Sequence, residues 1–264
     1  MITPSLELCR SVASSAGLPL DFAVKEFYIF NLLEGIAGGS SSKGLIFKGG
    51  TALNSVYLGN KRFSEDLDFD MANGQGDKNT ASYIESICSS IKGFTGTEVR
   101  RFHQTYMIEF MYSSPAGKRD RIRFDMRLGT KGRMLEKPKT VTANSRFTGQ
   151  SISGVLCYGL EDLVARKMNA LEERMEGKDV FDVANAMAIV DKNSLVKAIG
   201  HMLKDISKNI SAEDFLRSIS EKLDAANPGM LSRATNPYIP VSSRPTSWRL
   251  LVMDLHAKIE QMIR

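Results

Sequence analysis

Asp66, Asp68 and Asp70 alternate with Leu67, Phe69 and Met71 in the stretch DLDFDM. Strict alternation predicts a β-strand with the apolar residues on one face and the carboxylates on the other. Aspartate is depleted in strands, and like charges along one face repel each other. Two carboxylates at i and i+2 converge on one point, which suits a hard divalent cation with oxygen ligands. A solvated sheet face decorated with acids would carry the same pattern. Upstream, the apolar run Gly44-Leu45-Ile46-Phe47 predicts a short buried strand that leads into Lys48-Gly49-Gly50-Thr51. Two glycines after a strand allow a tight turn and close approach of a ligand to bare backbone. Thr51 is expected to N-cap a helix over Ala52 to Leu58, where Leu53, Val56 and Tyr57 fall at helical spacing. The N–H groups at that helix start are placed to face a phosphate.

A glycine turn, a short helix and then Asp-x-Asp on a strand resembles the signature of the polymerase-β nucleotidyltransferase superfamily. The fuller string, KGGTAL followed by RFSEDLDF, is similar to the AbiEii/AbiGii toxin family, which includes the MenT-type nucleotidyltransferases. Two further stretches carry the resemblance. In Arg121 to Leu128, Ile122, Phe124, Met126 and Leu128 share one strand face, while Asp125 is the only acid among Arg121, Arg123 and Arg127 on the other. Charge balance within the row is one reading. The resemblance implies another, a third carboxylate on a neighbouring strand. In the second stretch, Leu160 to Leu171 predicts a helix with Leu160, Leu163, Val164, Met168 and Leu171 on its stripe, and Lys167 falls on that stripe. A lysine there must snorkel or meet an anion; the family's Leu-x-Ala-x-Lys helix implies the anion. Lys178-Asp179-Val180-Phe181-Asp182-Val183 resembles the family's Arg-Asp-x-x-Asp-Leu motif, with Lys178 in place of the arginine. Asp179 and Asp182 share one side of the helix. Asp179 suits a cap as well as a site, so Asp182 is favoured for the site.

The resemblance spans residues 44–70, 121–127 and 160–183, in the family's order. It implies an α/β (α+β) nucleotidyltransferase core, a mixed sheet flanked by helices, followed by a helical C-terminal domain. It also implies transfer of a nucleoside monophosphate from an NTP to an acceptor, releasing pyrophosphate. Asp66, Asp68 and Asp125 would then hold Mg²⁺ or Mn²⁺. Gly49, Gly50 and Thr51 would cradle the β- and γ-phosphates, with Arg62 and Ser64 within reach of phosphate oxygens. Lys167 would face the leaving pyrophosphate, and Asp182 would hold Lys167 or touch substrate. An RNA acceptor, in particular a tRNA 3′ end, and a cognate AbiEi-like antitoxin are the implied partners. Two alternatives stay open on the sequence: the same fold acting on a protein or small-molecule hydroxyl, and a non-catalytic nucleotide- or RNA-binding module. The complete acid trio and Lys167 argue against the second.

The elements that must position these residues divide as 1–155, the core with N-terminal helices, and 156–264, helical. Helices are expected within residues 5–38, broken at Pro19, and over Thr80–Ile91. Glu98–Tyr112 reads as one long strand and Arg121–Leu128 as its hairpin partner. Lys131–Gln150 reads as loop and Ser151–Tyr158 as a strand. From Leu160 onward only helices are expected: one ended by Gly177, then 193–207, 211–225 and 246–263. Asn227–Pro245 reads as a long connection. Loops are expected over Gly38–Ser42 and Met71–Asp77.

Composition is that of a globular chain, with 264 residues, 42% hydrophobic and 25% charged. No apolar run is long enough for a membrane span and no secretory leader is expected. Cys9, Cys88 and Cys157 are isolated, which suggests reduced thiols in a cytoplasm. His103, His201 and His256 are equally scattered, so a zinc site or a Ser-His-Asp triad is not expected. The net charge of +5 lies wholly in residues 1–155, with 20 Lys/Arg against 15 Asp/Glu; residues 156–264 balance at 15 each. It concentrates in Lys118–Lys139, with nine basic and three acidic residues, an electrostatic footprint for triphosphate or RNA.

Overall fold

The computed structural model describes residues 1–39, 44–71, 77–129 and 132–263. The chain forms two compact units, Met1–Thr130 with Pro138–Cys157, and Lys131–Lys137 with Tyr158–Arg264. The first opens with α1 (Leu6–Ala16), capped by the Ser5 hydroxyl and closed by Gly17 in the left-handed region. α2 (Leu20–Gly38) follows Pro19. It is apolar nearly all round, which marks a buried helix rather than a surface one; Phe27, Ile29, Phe30, Leu32 and Leu33 are all out of solvent.

One seven-stranded mixed sheet carries the site. Its order is β3 (Gly96–Phe102), β4 (Thr105–Ser113), β5 (Arg119–Arg127), β2 (Asp66–Met71), β1 (Leu45–Lys48), β7 (Ser151–Cys157) and β6 (Lys139–Asn144). The β2–β5 and β1–β7 pairs are parallel and the others antiparallel. α2 lies against β2, β5 and β7. The buried sheet face is joined by rings: Phe47 stacks on Phe69 at 5.0 Å, Phe69 on Phe124 at 5.1 Å, and Phe110 meets Phe124 edge-on. A mixed sheet flanked by helices and followed by helices is the architecture the motifs imply. α3 (Gly49–Ala52) and a π-helical turn, Leu53–Tyr57, link β1 toward β2, and α4 (Asp77–Ser90) links β2 toward β3.

The second unit is helical: α5 (Leu160–Arg174), α6 (Gly177–Ala186), α7 (Lys192–Asp205), α8 (Ala212–Asp224), α9 (Pro228–Thr235) and α10 (Trp248–Ile263). The Asp162 carboxylate on α5 accepts from the Leu135 and Glu136 N–H groups, which ties the short Lys131–Lys137 segment to this unit.

Several expectations are corrected. Glu98–Tyr112 is not one strand but the β3–β4 hairpin. It reverses at His103-Gln104, where His103 takes φ +50° without a glycine or asparagine to announce it. The expected loop Lys131–Gln150 contains β6, and the connection Asn227–Pro245 contains α9, with Asn227 as its side-chain cap and Pro228 in its first turn. α5 ends not at Gly177 but at Met175, which takes φ +48°. Gly177 instead opens α6, where a Cβ would lie 2.6 Å from the Leu231 carbonyl oxygen, so its role is close packing against α9. Of the expected loops Gly38–Ser42 and Met71–Asp77, residues 40–42 and 72–76 lie outside the described residues; Gly38 closes α2 and Met71 closes β2.

A buried polar cluster fastens α2 to the β6–β7 end of the sheet. Glu26 accepts from the Ser145 hydroxyl at 2.6 Å, and Gln150 donates to Asn31, which also holds the backbone of Ile2. Burial pushes the Glu26 carboxyl up from 4.5 to about 7, against the lowering effect of Ser145. Its folded value lies above its unfolded one, so the stabilisation it gives is full below about pH 4.5 and is lost as pH rises through about 7. Glu26→Gln, which keeps the acceptor oxygen, is expected to flatten this loss and to be the more stable protein at pH 8, by up to about 3 kcal/mol. Urea denaturation at pH 5 and pH 8 reads the difference; identical pH dependence in both proteins would remove Glu26 as its source.

Candidate active site

The site is set by the register of three strands in the first unit. Leu67, Phe69 and Met71 of β2 point into the core, and Asp66 and Asp68 are half-buried on the opposite face. Parallel pairing puts Asp68 beside Asp125 and Asp66 beside Arg123 of β5. Antiparallel pairing puts Lys48 of β1 on the other side of Asp68. Asp70, the third acid of the alternation, is buried and ion-paired with Lys48, so it is a structural group rather than a ligand open to substrate.

The glycine turn packs onto this face. Gly49 takes φ +78°, and a Cβ on it would lie 2.1 Å from Asp68 Oδ2. A Cβ on Gly50 would lie 2.6 Å from Arg62 Nη2 and 3.3 Å from Ser64 Oγ. Bare backbone at both positions is therefore a steric requirement, and Gly49, Gly50, Asp68, Arg62 and Ser64 form one constellation. Arg62 is buried and donates from Nη1 to the Phe63 carbonyl at 2.8 Å. Thr51 does not cap the helix as expected. The helix begins three residues earlier, after Lys48, and the Thr51 hydroxyl donates to the Asp66 carbonyl, fastening the turn to β2.

Asn54 is a site residue that the sequence reading missed. It is buried, donates to the Gly50 carbonyl at 3.0 Å and accepts from the Arg62 N–H at 3.4 Å, so one amide positions both the turn and the arginine. Its signal was a polar amide inside the apolar pattern of Leu53, Val56 and Tyr57. Arg123 is the second missed residue. Its Nε donates to both Asp125 oxygens at 2.9 Å, and Nη2 closes the fork. The Asp125 hydrogen bond, with Asp66 and Asp68 adding at longer range, holds the guanidinium above its ordinary value despite partial burial.

The donor types and backbone placement fit a hard divalent cation: carboxylates at i and i+2 on β2 and a third beside the second on β5. The side chains fit it less completely. Among the described residues no group of three His, Cys, Asp or Glu side chains closes on one point, and Asp125 is turned to Arg123. Asp66 and Asp68 would be the β2 ligands of such an ion, and Asp125 could join them only by giving up its fork with Arg123.

Lys167, Asp179 and Asp182 lie in the second unit and are brought together there. Lys167 Nζ lies 2.6 Å from Asp179 and 3.1 Å from Asp182; the lysine is nine-tenths buried and both aspartates are completely buried. Arg174 forks onto Asp179 at 2.8 and 3.0 Å. Burial alone would raise the Asp179 carboxyl, but Arg174 and Lys167 outweigh it and hold it below its usual value. Asp179 is therefore no cap; both acids of the motif hold Lys167. Lys178, where the motif has arginine, sits over the Tyr238 ring at 4.1 Å.

Comparison with known proteins follows the same lines. A family model described as the nucleotidyl transferase AbiEii toxin of type IV toxin–antitoxin systems matches residues 31–246. No curated protein sequence matches the chain. Among solved structures, MenT4, a nucleotidyltransferase toxin from Mycobacterium tuberculosis H37Rv, superposes with a TM-score of 0.60 at 16% identity, over 96% of this chain and 89% of that one. JHP933 from Helicobacter pylori superposes at 0.58 with 13% identity, over 93% of each chain. At such identities these two likenesses speak for the fold.

Two outcomes follow from this geometry. Gly49→Ala places a methyl on Asp68 and strains a left-handed residue by about 1 kcal/mol; turnover is expected to fall at least tenfold with only a small loss in melting temperature. Wild-type turnover would mean that the turn does not need to sit on Asp68. Lys167→Ala takes a cation from two buried carboxylates and is expected to cost about 3 kcal/mol in urea denaturation. An unchanged stability would show that Asp179 and Asp182 do not depend on the lysine.

Proposed function

The chain belongs to the AbiEii nucleotidyltransferase toxin family of type IV toxin–antitoxin systems, and we propose that this enzyme transfers a nucleoside monophosphate from an NTP to the 3′ hydroxyl of an RNA acceptor, a tRNA, releasing pyrophosphate. The observation that carries the reading is the packing of the Gly49–Gly50 turn onto Asp68, with Asp125 in register beside it. Phosphoryl-type transfer needs positioning and charge neutralisation more than covalent help from the protein. The bare backbone of Gly49 and Gly50 receives the β- and γ-phosphates, fastened by Thr51, while Arg62 and Ser64 border Gly50 and reach phosphate oxygens. Asp66 and Asp68, with Asp125, would hold Mg²⁺ or Mn²⁺. When bound, that ion neutralises the α-phosphate and lowers the pKa of the attacking hydroxyl. Asp125 lies on the β5 side, away from the turn, and so marks the side from which the acceptor hydroxyl approaches. Lys167 and Asp182 complete the proposed set on the strength of the family motif, Lys167 as the cation for the leaving pyrophosphate and Asp182 as the group that holds it.

The basic stretch Lys118–Lys139 supports RNA over a protein or small-molecule acceptor. The toxin family implies a cognate AbiEi-like antitoxin encoded beside the gene, and no permanent complex with it is proposed. Among the described residues no helix is long and apolar enough to cross a membrane.

The test is labelling of total RNA by pure protein with radiolabelled NTPs. Wild type with Mg²⁺ is expected to label RNA, EDTA to abolish labelling and added Mn²⁺ to restore it. Asp68→Asn should lose it by at least a hundredfold, about 2.7 kcal/mol of transition-state stabilisation, without unfolding. In cells the wild type should slow growth and Asp68→Asn should not. Full labelling by Asp68→Asn, or in excess EDTA, would refute the metal-dependent transferase; equal toxicity of the two proteins would detach growth arrest from the chemistry.

A further inference from the structure

β3, β4 and β5 extend the carboxylate face of the sheet outward in rungs that the register defines. The Asp68–Asp125 rung continues into Met107 and Arg100, and the Asp66–Arg123 rung into Glu109 and Glu98. β2 then ends, but the face goes on: Arg121 with Met111 and Gly96, then Arg119 with Ser113. Beyond the carboxylates the face thus turns basic along a single strand. Arg119, Arg121, Arg123 and Arg127 all project from the outward side of β5, opposite its buried Ile122, Phe124 and Met126.

The two distal arginines are placed for a polyanion. Arg121 pairs with Glu109 at 3.0 Å yet keeps 62% of its side chain exposed. Glu109 is buried, so Arg121 keeps that bond, and the remaining donors of its solvent-facing guanidinium are open to a phosphate. Arg119 is exposed and has no ion-pair partner among the described residues. Both arginines line a cavity of about 580 Å³ together with Thr95, Met111, Tyr112, Ser113 and Asp120, and the one carboxylate among them, Asp120, is held by Lys25 at 3.4 Å and by the Tyr112 hydroxyl. Its size is that of a small-ligand site, and Met111, 39% exposed, offers an apolar wall for a base or ribose. At the strand rise of about 3.3 Å per residue, Arg119 stands ~20 Å from Asp125, a distance that a few nucleotides of single strand span.

We infer that this outward face of β4 and β5 is the track on which the single-stranded 3′ end of the acceptor RNA lies, with Arg121 and Arg119 holding its backbone and the cavity beside them taking one nucleoside. The inference rests on the RNA reading of the function and adds where the acceptor binds. The two substrates divide the face: the glycine turn, Arg62 and Ser64 border Asp68 on the β1 side, so the NTP occupies that side. The acceptor must reach the same carboxylates from the other, and that is where the arginines are. A single strand fits this narrow row better than a duplex, because the arginines follow one β-strand and the cavity admits an unstacked base.

The test is fluorescence anisotropy with a short fluorescein-labelled single-stranded RNA bearing a free 3′ hydroxyl, across a series of salt concentrations. Arg119→Gln with Arg121→Gln is expected to weaken RNA binding at least tenfold and to lower the log–log salt slope by about 1.5, since each phosphate contact on a single strand contributes about 0.7. Binding of a fluorescent NTP analogue should not change, and the melting temperature should fall only by the loss of the Arg121–Glu109 pair. Lysine at both positions should restore most of the affinity, because the phosphate contact needs charge more than shape. Unchanged RNA affinity and slope in the double glutamine variant would overturn the track while the RNA reading stands on wild-type binding. A parallel loss of nucleotide affinity would also overturn it, by assigning the arginines to the fold. A wild type that binds no RNA, yet transfers nucleotide to another hydroxyl, would overturn both readings together.

Discussion

Everything in the first unit depends on the two-residue period of β2. A strand cannot turn one residue without exchanging its two faces. Leu67, Phe69 and Met71 are anchored in the aromatic row built by Phe47, Phe124 and Phe110, so the carboxylates of Asp66 and Asp68 have nowhere to go but outward. The repulsion between neighbouring acids is small beside the apolar burial that fixes the register; a fully buried Phe or Leu contributes about 2 kcal/mol or more. Lys48, Arg123 and Arg62 then offset the acidic face with positive charge, each from a different neighbouring segment. The glycines are the sterically demanding part of the arrangement, because any side chain at Gly49 would meet the Asp68 carboxylate.

A second constraint organises the helical unit. Ionised aspartates without any solvent contact need cations in hydrogen-bonding reach. Lys167 and Arg174 meet that condition from α5, so α5 and α6 are joined by charge as well as by packing. Gly177 lets α6 start against the backbone of α9, and Trp248 of α10 lies over Phe181 at 6.3 Å. A lysine on an apolar stripe thus has an explanation within its own unit before any substrate is considered. Loss of activity on its removal would by itself be ambiguous, which is why stability is the informative readout there.

The legible part of the sequence was the part with strict periodicity. DLDFDM and RIRFDM gave up both strands and their facing acids because alternation over several residues has one reading. Five of the six helices of the second unit were legible from their stripes. The rest turned on tertiary circumstances that local pattern does not encode. His103-Gln104 reverses the chain through a left-handed conformation that residues other than glycine adopt uncommonly, so the β3–β4 hairpin was read as a single strand. Thr51 had the chemistry of a cap, but the helix starts on the glycines and the hydroxyl is claimed by Asp66. Asn54 and Arg123 looked like an interruption and a charge-balancing residue. Their roles appear only when the turn and the neighbouring strand come to them across the fold. Asp125 was singled out through its motif, yet the fork that Arg123 makes with it two residues away on the same strand was not read from the pattern.

The two parallel pairings of the sheet have a consequence in time. Asp68 and Asp125 are 57 residues apart, and the β1–β7 pair joins Phe47 to Cys157 across 110 residues. Contacts of such long range form late, because the entropy of closing the intervening chain must be met first. A chain emerging from the ribosome therefore carries the glycine turn and both β2 aspartates long before β5 and β7 exist to hold them in register. Until β7 has been made, β1 lacks one of its two neighbours and the strand that launches the turn is an unprotected edge. The register that sets Asp68 beside Asp125, and that gives β1 its second neighbour, is thus among the last features of the sheet to form.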